Sequence, residues 1–501
     1  MTASVNPGGG VPGLAQLPEG QAGCRLPVKV LQFGEGNFLR GFVNWMVHRA
    51  NAEGLFGGGV AVTQPRPTGK PNLEKLKVQQ GAYTLLVRGL RDGRQIEERE
   101  IVSVFARMID PYEEWDAFLA LADSPELEFV VSNTTEAGLA YRHAEWNPGV
   151  PVASFPGKLT VFLYRRFVTF AGDPGRGLVH LPCELLERNG ERLLDIVLRH
   201  ADDWQLSDSF KRWVRESNRF VNTLVDRIVT GYPREEADGL FAAWGYADPL
   251  LATAEPYHLW AIQATDGLEA RLPLAQAGLN VRWVEDLTPY QLLKVRILNG
   301  AHTMMATLGL ADGLSEVREA MEHPVWGPVW ERTLRDEVLP GLPLPRAEAE
   351  AYVNSTLERF RNPYIRHRLT DIAMNSLSKW RTRLLPSLKA YSQAEGKIPS
   401  VIGQSLAALI WLYRPRDAYP EGGAPFEPRD DEALVEAVRG AWAPEPDGGG
   451  RYDLARTAAN ILRLEAAWGE DLTALGGLAE VVAAALAARA GGQGGRTRSG
   501  D

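Results

Sequence analysis

The chain has 501 residues, a formal net charge of -9, 45% hydrophobic and 23% charged residues. That length suggests about two to four domains with ample core, and the acid excess argues against nucleic acid as the main partner. Two cysteines, Cys24 and Cys183, argue against a disulfide framework and fit a reducing, cytoplasmic compartment, and no cysteine and histidine cluster of zinc-binding type is present, so no metal is expected.

In chain order, residues 1–25 are Gly- and Pro-rich, lack a basic start followed by an apolar stretch, and are expected to be a disordered segment rather than a signal peptide. Residues 28–33 predict a buried strand that runs into Gly34-Glu35-Gly36-Asn37-Phe38-Leu39-Arg40, an apolar-periodic helix to about Ala52, and a second strand over 60–63. This is a βαβ start with a glycine turn where a phosphate would meet a helix N-terminus. A third glycine would fall at Leu39, and the acid expected after the second strand is replaced by Thr63-Gln64-Pro65-Arg66. The motif alone therefore suits either a dinucleotide site or a plain strand–helix turn.

Stretches 83–88 and 96–108 flank Asp92-Gly93 and predict a hairpin. Residues 111–121 predict a helix, and 127–132 a buried strand ending in Asn133-Thr134-Thr135-Glu136. Polar residues at the carboxyl end of such a strand are where ligands sit in open sheets, or else a capped loop. A helix over 158–170, a strand over 178–181 and another helix come next. Residues 221–229 predict a strand with polar residues inside it, where Asp226 and Arg227 suit a site or a structural ion pair. A further strand begins near Glu255.

From Asp286 onward the pattern is helix after helix, with loops at Asp312-Gly313 and from Pro420 to Pro428. The apolar run 478–490 is short, Ala-rich and interrupted by Glu480 and Arg489, which predicts a packed helix rather than a membrane span. Residues 491–501 are expected to be a disordered tail. The layout is an α/β Rossmann-type domain over 26–285, followed by a mostly α-helical domain over 286–490.

Lys294-Val-Arg-Ile-Leu-Asn299-Gly-Ala-His302 carries a proton donor, an amide and an imidazole on a helix whose start is marked by Asp286-Leu-Thr288-Pro289. At about 100° per residue, Asn299 lies about 140° and His302 about 80° round from Lys294, within one broad face. Reduction of a ketone needs a hydride on carbon and a proton on oxygen. A lysine in a partly apolar cleft exchanges a proton near neutrality, while Asn299 and His302 can donate to the oxygen as charge builds up. The plain alternative is a solvated helix lysine and a satisfied interior histidine.

Together these blocks resemble the polyol-specific long-chain dehydrogenase/reductase family, which includes mannitol dehydrogenases and reductases of fructuronate and tagaturonate. Lys294, Asn299 and His302 match its catalytic signature, and the glycine loop has its form without a third glycine. Further blocks, from Ser132 to Gly138, Leu181 to Leu185, Asn222 to Ile228, Glu255 to Trp260 and Asn375 to Trp380, are most similar to the tagaturonate-reducing branch. The resemblance runs from about residue 28 to 400. It implies that Lys294 is the general acid/base and that Asn299 and His302 polarise the carbonyl. It implies NAD held by Phe33, Gly34, Gly36, Asn37, Phe38, Arg40, Asn133, Thr134 and Glu136. It also implies a sugar acid contacted by Asn189, Asp226 and Lys379, the last facing a carboxylate. Arg66 leaves NADP open. A uronate epimerase with tightly held NAD and a non-catalytic sensor on the same fold are the rival classes. Oligomeric state is left open.

Overall fold

The computed structural model describes residues 11–17, 23–419, 426–445 and 451–491. The rest of the expected terminal segments, and residues 420–425 of the predicted loop, lie outside the described residues. The chain divides between Leu287 and Thr288 into two compact units.

The first unit is built on a six-stranded parallel sheet of β1 (Val28–Phe33), β2 (Gly59–Thr63), β5 (Phe105–Ile109), β6 (Phe129–Ser132), β7 (Val179–Pro182) and β8 (Arg219–Phe220). The spatial order is β5-β2-β1-β6-β7-β8, which is the doubly wound 3-2-1-4-5-6 arrangement with its topological switch between β1 and β6. Phe33 is level with Thr63 on one side and Ser132 on the other, so three strand ends finish together. The apolar runs follow from burial on both faces: Val30, Val60 and Val62 join the core that includes Phe42 and Met46, while Leu31, Phe33 and Ala61 join Phe118 and Leu159.

Two smaller sheets flank it. β3 (Ala82–Arg91) and β4 (Arg94–Ser103) form the hairpin, with Asp92 and Gly93 both at positive φ, as a two-residue turn of the primed kind requires. They continue into β11 (Ala252–Ala254) and β10 (Val229–Gly231), and the remaining sheet is β13 (Val281–Trp283), β12 (Leu259–Ile262) and β9 (Thr223–Asp226).

Four expectations change in the structure. The predicted strand 96–108 is two strands: β4 returns along β3, and the chain then crosses at buried Val104 so that β5 can pair with β2. The predicted strand 221–229 likewise splits between two sheets. The helix predicted from 111 begins only at Trp115, because Asp110 accepts from the Tyr112 amide (2.9 Å) and holds a turn. Within the segment expected to be disordered, residues 11–17 are ordered: Leu14 is buried beside Ala82 and Tyr246, and its amide donates to Ala247 at 2.8 Å.

The second unit contains helices, with no strand beyond isolated bridges among the described residues. Helix 288–309 runs through Thr288–Leu292, a π-helical stretch Leu293–Asn299, Gly300–Met304 and a second π-helical stretch Met305–Gly309. Helix Leu478–Ala490 buries Leu478, Val482 and Leu486 at four-residue spacing and packs on Ser400–Leu412. Among the described residues no helix is long and apolar enough to cross a membrane.

Candidate active site

In the first unit the site is built where β1, β2 and β6 end. Gly34 takes φ +123°, and a Cβ there would lie 2.9 Å from the Asn133 carbonyl oxygen, so only glycine lets the two strand ends approach. Gly36 is exposed, and a Cβ on it would meet nothing within 4 Å. Open space therefore lies at the start of helix 37–52, whose first amides have no intrahelical acceptor. At the end of β2, Gln64 is buried with both amide atoms unpartnered, a donor and an acceptor that a ribose hydroxyl would satisfy. Pro65, Arg66, Thr134, Arg142 and Ser154 line an adjoining cleft. Thr135 sits at φ 73°, ψ 163°, backbone strain of the kind found at ligand loops. These features fit the phosphate and ribose groups of a dinucleotide.

The other predicted cofactor residues divide. Asn37 is exposed at the helix start and Glu136 is exposed in the 133–138 loop. Asn133 donates to the Cys183 carbonyl (2.7 Å), which fixes the loop. The Thr134 amide and hydroxyl both donate to Glu184 Oε1 (2.9 and 3.0 Å). Phe38 stacks on Phe42 with ring centroids 5.0 Å apart. Two expectations are corrected. The Phe33 side chain is wholly buried against Phe118 and Phe155, so it presents no side-chain atom to a ligand. Arg40 is buried, donating to the Leu250 carbonyl and to Asn37 Oδ1, so its guanidinium faces inward.

Asn189, expected at the substrate, has its side-chain amide engaged with backbone groups. Its amide nitrogen lies 3.0 Å from Pro182 O, 3.1 Å from Glu184 O and 3.0 Å from Thr223 O, and its oxygen accepts from the Gly190 and Thr223 amides. Asp226 is buried on β9 opposite Leu259. Arg227 donates to the Glu255 and Gly41 carbonyls and lies over Trp45, so its hydrogen bonds go to backbone rather than to Asp226.

Lys158, on helix Phe155–Thr169, gave no sequence signal. Its ammonium is buried among the Pro65 carbonyl, the Tyr112 hydroxyl and the Ala153 carbonyl at 2.8 to 3.1 Å, and burial pushes its pKa down to about 7. It ties three loops together beside the cleft.

In the second unit, the π-helical stretch changes the expected geometry. Its i→i+5 bonding stacks residues five apart, so Lys294 lies one turn from Asn299 instead of well round the helix. Such single π-turns recur at functional sites. His302 follows in the α-helical part and is 7% exposed. Its ring lies 4.5 Å from Phe360 and 4.6 Å from His367, and its Nε2 has no partner. Burial first, then the charges of His367, Arg359, Arg383 and Lys379, holds its pKa well below the ordinary value. The imidazole is therefore neutral and can donate one uncharged hydrogen bond. Lys379 donates to the Ile372 carbonyl (2.8 Å), and burial and Arg383 lower its pKa. Arg359, His367 and Arg383, which were missed from the sequence, complete a basic cluster around His302.

A doubly wound sheet with a glycine crossing at its switch point, joined to a helical unit bearing a lysine, an amide and a neutral imidazole, defines a nicotinamide-dependent oxidoreductase. Residues 28–276 match the mannitol dehydrogenase Rossmann domain and residues 286–488 the mannitol dehydrogenase C-terminal domain. The chain belongs to the mannitol dehydrogenase family, oxidoreductases acting on CH–OH groups. It is 42% identical over 460 residues to the altronate oxidoreductase of Bacillus subtilis (strain 168), covering 92% of each chain. It is 41% identical over 465 residues to that of Klebsiella pneumoniae (strain 342), covering 93% of this chain and 95% of the relative. Among solved structures, substrate-free D-sorbitol dehydrogenase superposes with a TM-score of 0.76 at 22% identity, covering 92% of this chain and 93% of that one. Pseudomonas fluorescens mannitol 2-dehydrogenase, in its complex with NAD and D-mannitol, gives 0.65 at 20% identity, covering 93% and 92%. These two share the fold.

Proposed function

We propose that this chain reduces the ketone of D-tagaturonate to the hydroxyl of D-altronate, reversibly, with NADH and without a metal, in the cytoplasm. The observation that carries the reading is the basic cluster about His302, whose members Lys379 and Arg383 form no ion pair among the described residues, Asp430 acting on Lys379 only from beyond ion-pair distance. A sugar acid supplies the missing anion, whereas a neutral polyol does not. The relatives named altronate oxidoreductase, aligned over nine-tenths of the chain, support the same substrate class.

When bound, the reduced nicotinamide supplies a hydride to the carbonyl carbon. Lys294 gives its proton to the carbonyl oxygen, and the Asn299 amide and neutral His302 hydrogen-bond that oxygen as negative charge develops. In the reverse direction, neutral Lys294 takes the hydroxyl proton. Gln64 at the end of β2 offers neutral groups to ribose hydroxyls, which favours NAD over NADP. A fructuronate reductase is the second reading, since that substrate carries the same carboxylate and an adjacent pattern of hydroxyls.

The test is oxidation of NADH by the purified protein with D-tagaturonate, D-fructuronate and D-fructose in parallel, repeated with NADPH. Turnover of tagaturonate well above the others is the expected result. A fructuronate preference moves the substrate and keeps the chemistry. Inactivity with all three sinks the reductase reading in favour of an epimerase or sensor.

A further inference from the structure

We propose that Arg383 reads the substrate carboxylate and sets this chain's preference for a sugar acid over a neutral ketose. The inference rests on the sugar-acid reading above and adds to it a residue that neither the sequence motifs nor the family resemblance singled out.

Helix Ser376–Arg383 places Arg383 four residues from Lys379, on the same face and one turn on. Arg383 Nη1 donates to Thr303 Oγ1 at 3.2 Å, and Thr303 in turn donates to the Asn299 carbonyl at 2.9 Å. The guanidinium is thus tied by a neutral bond to the helix that carries Asn299 and His302, and its remaining donors are left over. Thr303 stands one turn beyond Asn299, about 6 Å along the axis. That spacing is of the order separating the ketone from the far carboxylate of a hexulosonate chain.

What marks the site is a half-buried guanidinium with no ion pair, while Asp430 acts on neighbouring Lys379 only from beyond ion-pair distance. Several other cations in this unit find carboxylates: Arg335 and Arg346 share Glu350, Arg489 pairs with Asp312 at 2.8 Å, and Lys389 pairs with Glu470. Among the described residues, neither Arg383 nor Lys379 has a carboxylate within ion-pair distance. Both are half-buried, and burial lowers the pKa of each. Next to them the buried His302 Nε2 lacks a partner. Holding cations out of water without counter-ions is unfavourable, and a carboxylate arriving with the substrate removes that penalty. A planar guanidinium matches both carboxylate oxygens at once, whereas the Lys379 ammonium is a point charge already held by a backbone carbonyl. The fork therefore gives orientation as well as charge, and places the reacting ketone near Asn299.

The experiment measures kcat and KM of the wild type, Arg383→Gln and Arg383→Lys with D-tagaturonate and with its neutral counterpart D-tagatose. NADH affinity and thermal melting are followed as folding controls. Where the neutral ketose turns over too slowly, equilibrium binding of D-altronate against D-altritol to the NAD-loaded protein gives the same ratio. Arg383→Gln is expected to lower the acid-to-neutral ratio of kcat/KM about a hundredfold, mainly through KM. Arg383→Lys is expected to recover part of it, because an ammonium restores charge without the fork. An unchanged ratio, or equal losses on both compounds, overturns the inference while wild-type turnover of tagaturonate leaves the proposed function standing. A wild type that neither turns over nor binds hexuronates removes both.

Discussion

Two groups of buried polar side chains are treated in opposite ways: those that fasten the strand ends and hairpin of the first unit, and those around His302 in the second. In the first, Glu184 is closed off by Ser132 and Thr134, Asn189 by five backbone groups, and Asp248 by the Thr84 and Leu250 amides and the Gln79 side chain. In the second, His302 keeps an unpartnered nitrogen, and Lys379 and Arg383 hydrogen-bond only to neutral oxygens. Glu184, Asn189 and Asp248, with their hydrogen bonds complete, serve the scaffold, whereas an incomplete group beside half-buried cations leaves desolvation that a ligand can offset.

The comparison breaks most visibly at Lys294. Replacement by alanine is expected to lower kcat about a thousandfold or more, the scale of losing a positioned proton donor, with melting temperature and NADH affinity retained. Loss of folding in parallel with activity would place Lys294 among the scaffold groups instead. The reciprocal experiment is Asn189→Ala, which removes a hydrogen-bond partner from the Pro182, Glu184 and Thr223 carbonyls and from the Thr223 amide. It is expected to cost about 2–4 kcal/mol in denaturant unfolding, with KM for the substrate unmoved. A raised KM at undiminished stability would return Asn189 to the substrate.

The smallest effect concerns Lys158, a scaffold cation that titrates. Its folded pKa, about 7, lies below the value of a free lysine, so the unfolded chain holds the extra proton between about pH 7 and about pH 10. Stability should therefore rise with pH through that window, and the destabilisation is fully present below it. Lys158→Met is expected to flatten this rise in melting temperature between about pH 6 and about pH 9.5. An unchanged slope would show that the three oxygens around the ammonium offset its burial.

Local pattern carried much of this. The apolar runs of β1, β2 and β6, the Gly34 and Gly36 turn and the Asp92-Gly93 hairpin were legible because period, burial and positive φ leave marks at single positions. The helix with Lys294, Asn299 and His302 was legible as a cluster, but its π-turn was not, because i→i+4 and i→i+5 bonding suit the same residues. Arg383, His367 and Lys158 left no mark: an arginine, histidine or lysine on an amphipathic helix reads alike whether its partner is solvent, carboxylate or carbonyl.

By itself, then, the sequence determined the order of α/β and helical halves, the glycine crossing and the residue types available for chemistry, since these depend on neighbours a few positions away. Tertiary structure decided which of those residues are used up. It turned Phe33 and Arg40 inward, closed Asn189 against three carbonyls, sent β4 and β5 to different sheets, and brought Lys379 and Arg383 beside His302. Hydrogen bonding and desolvation are settled by contacts between residues far apart in the chain, and no local pattern encodes those.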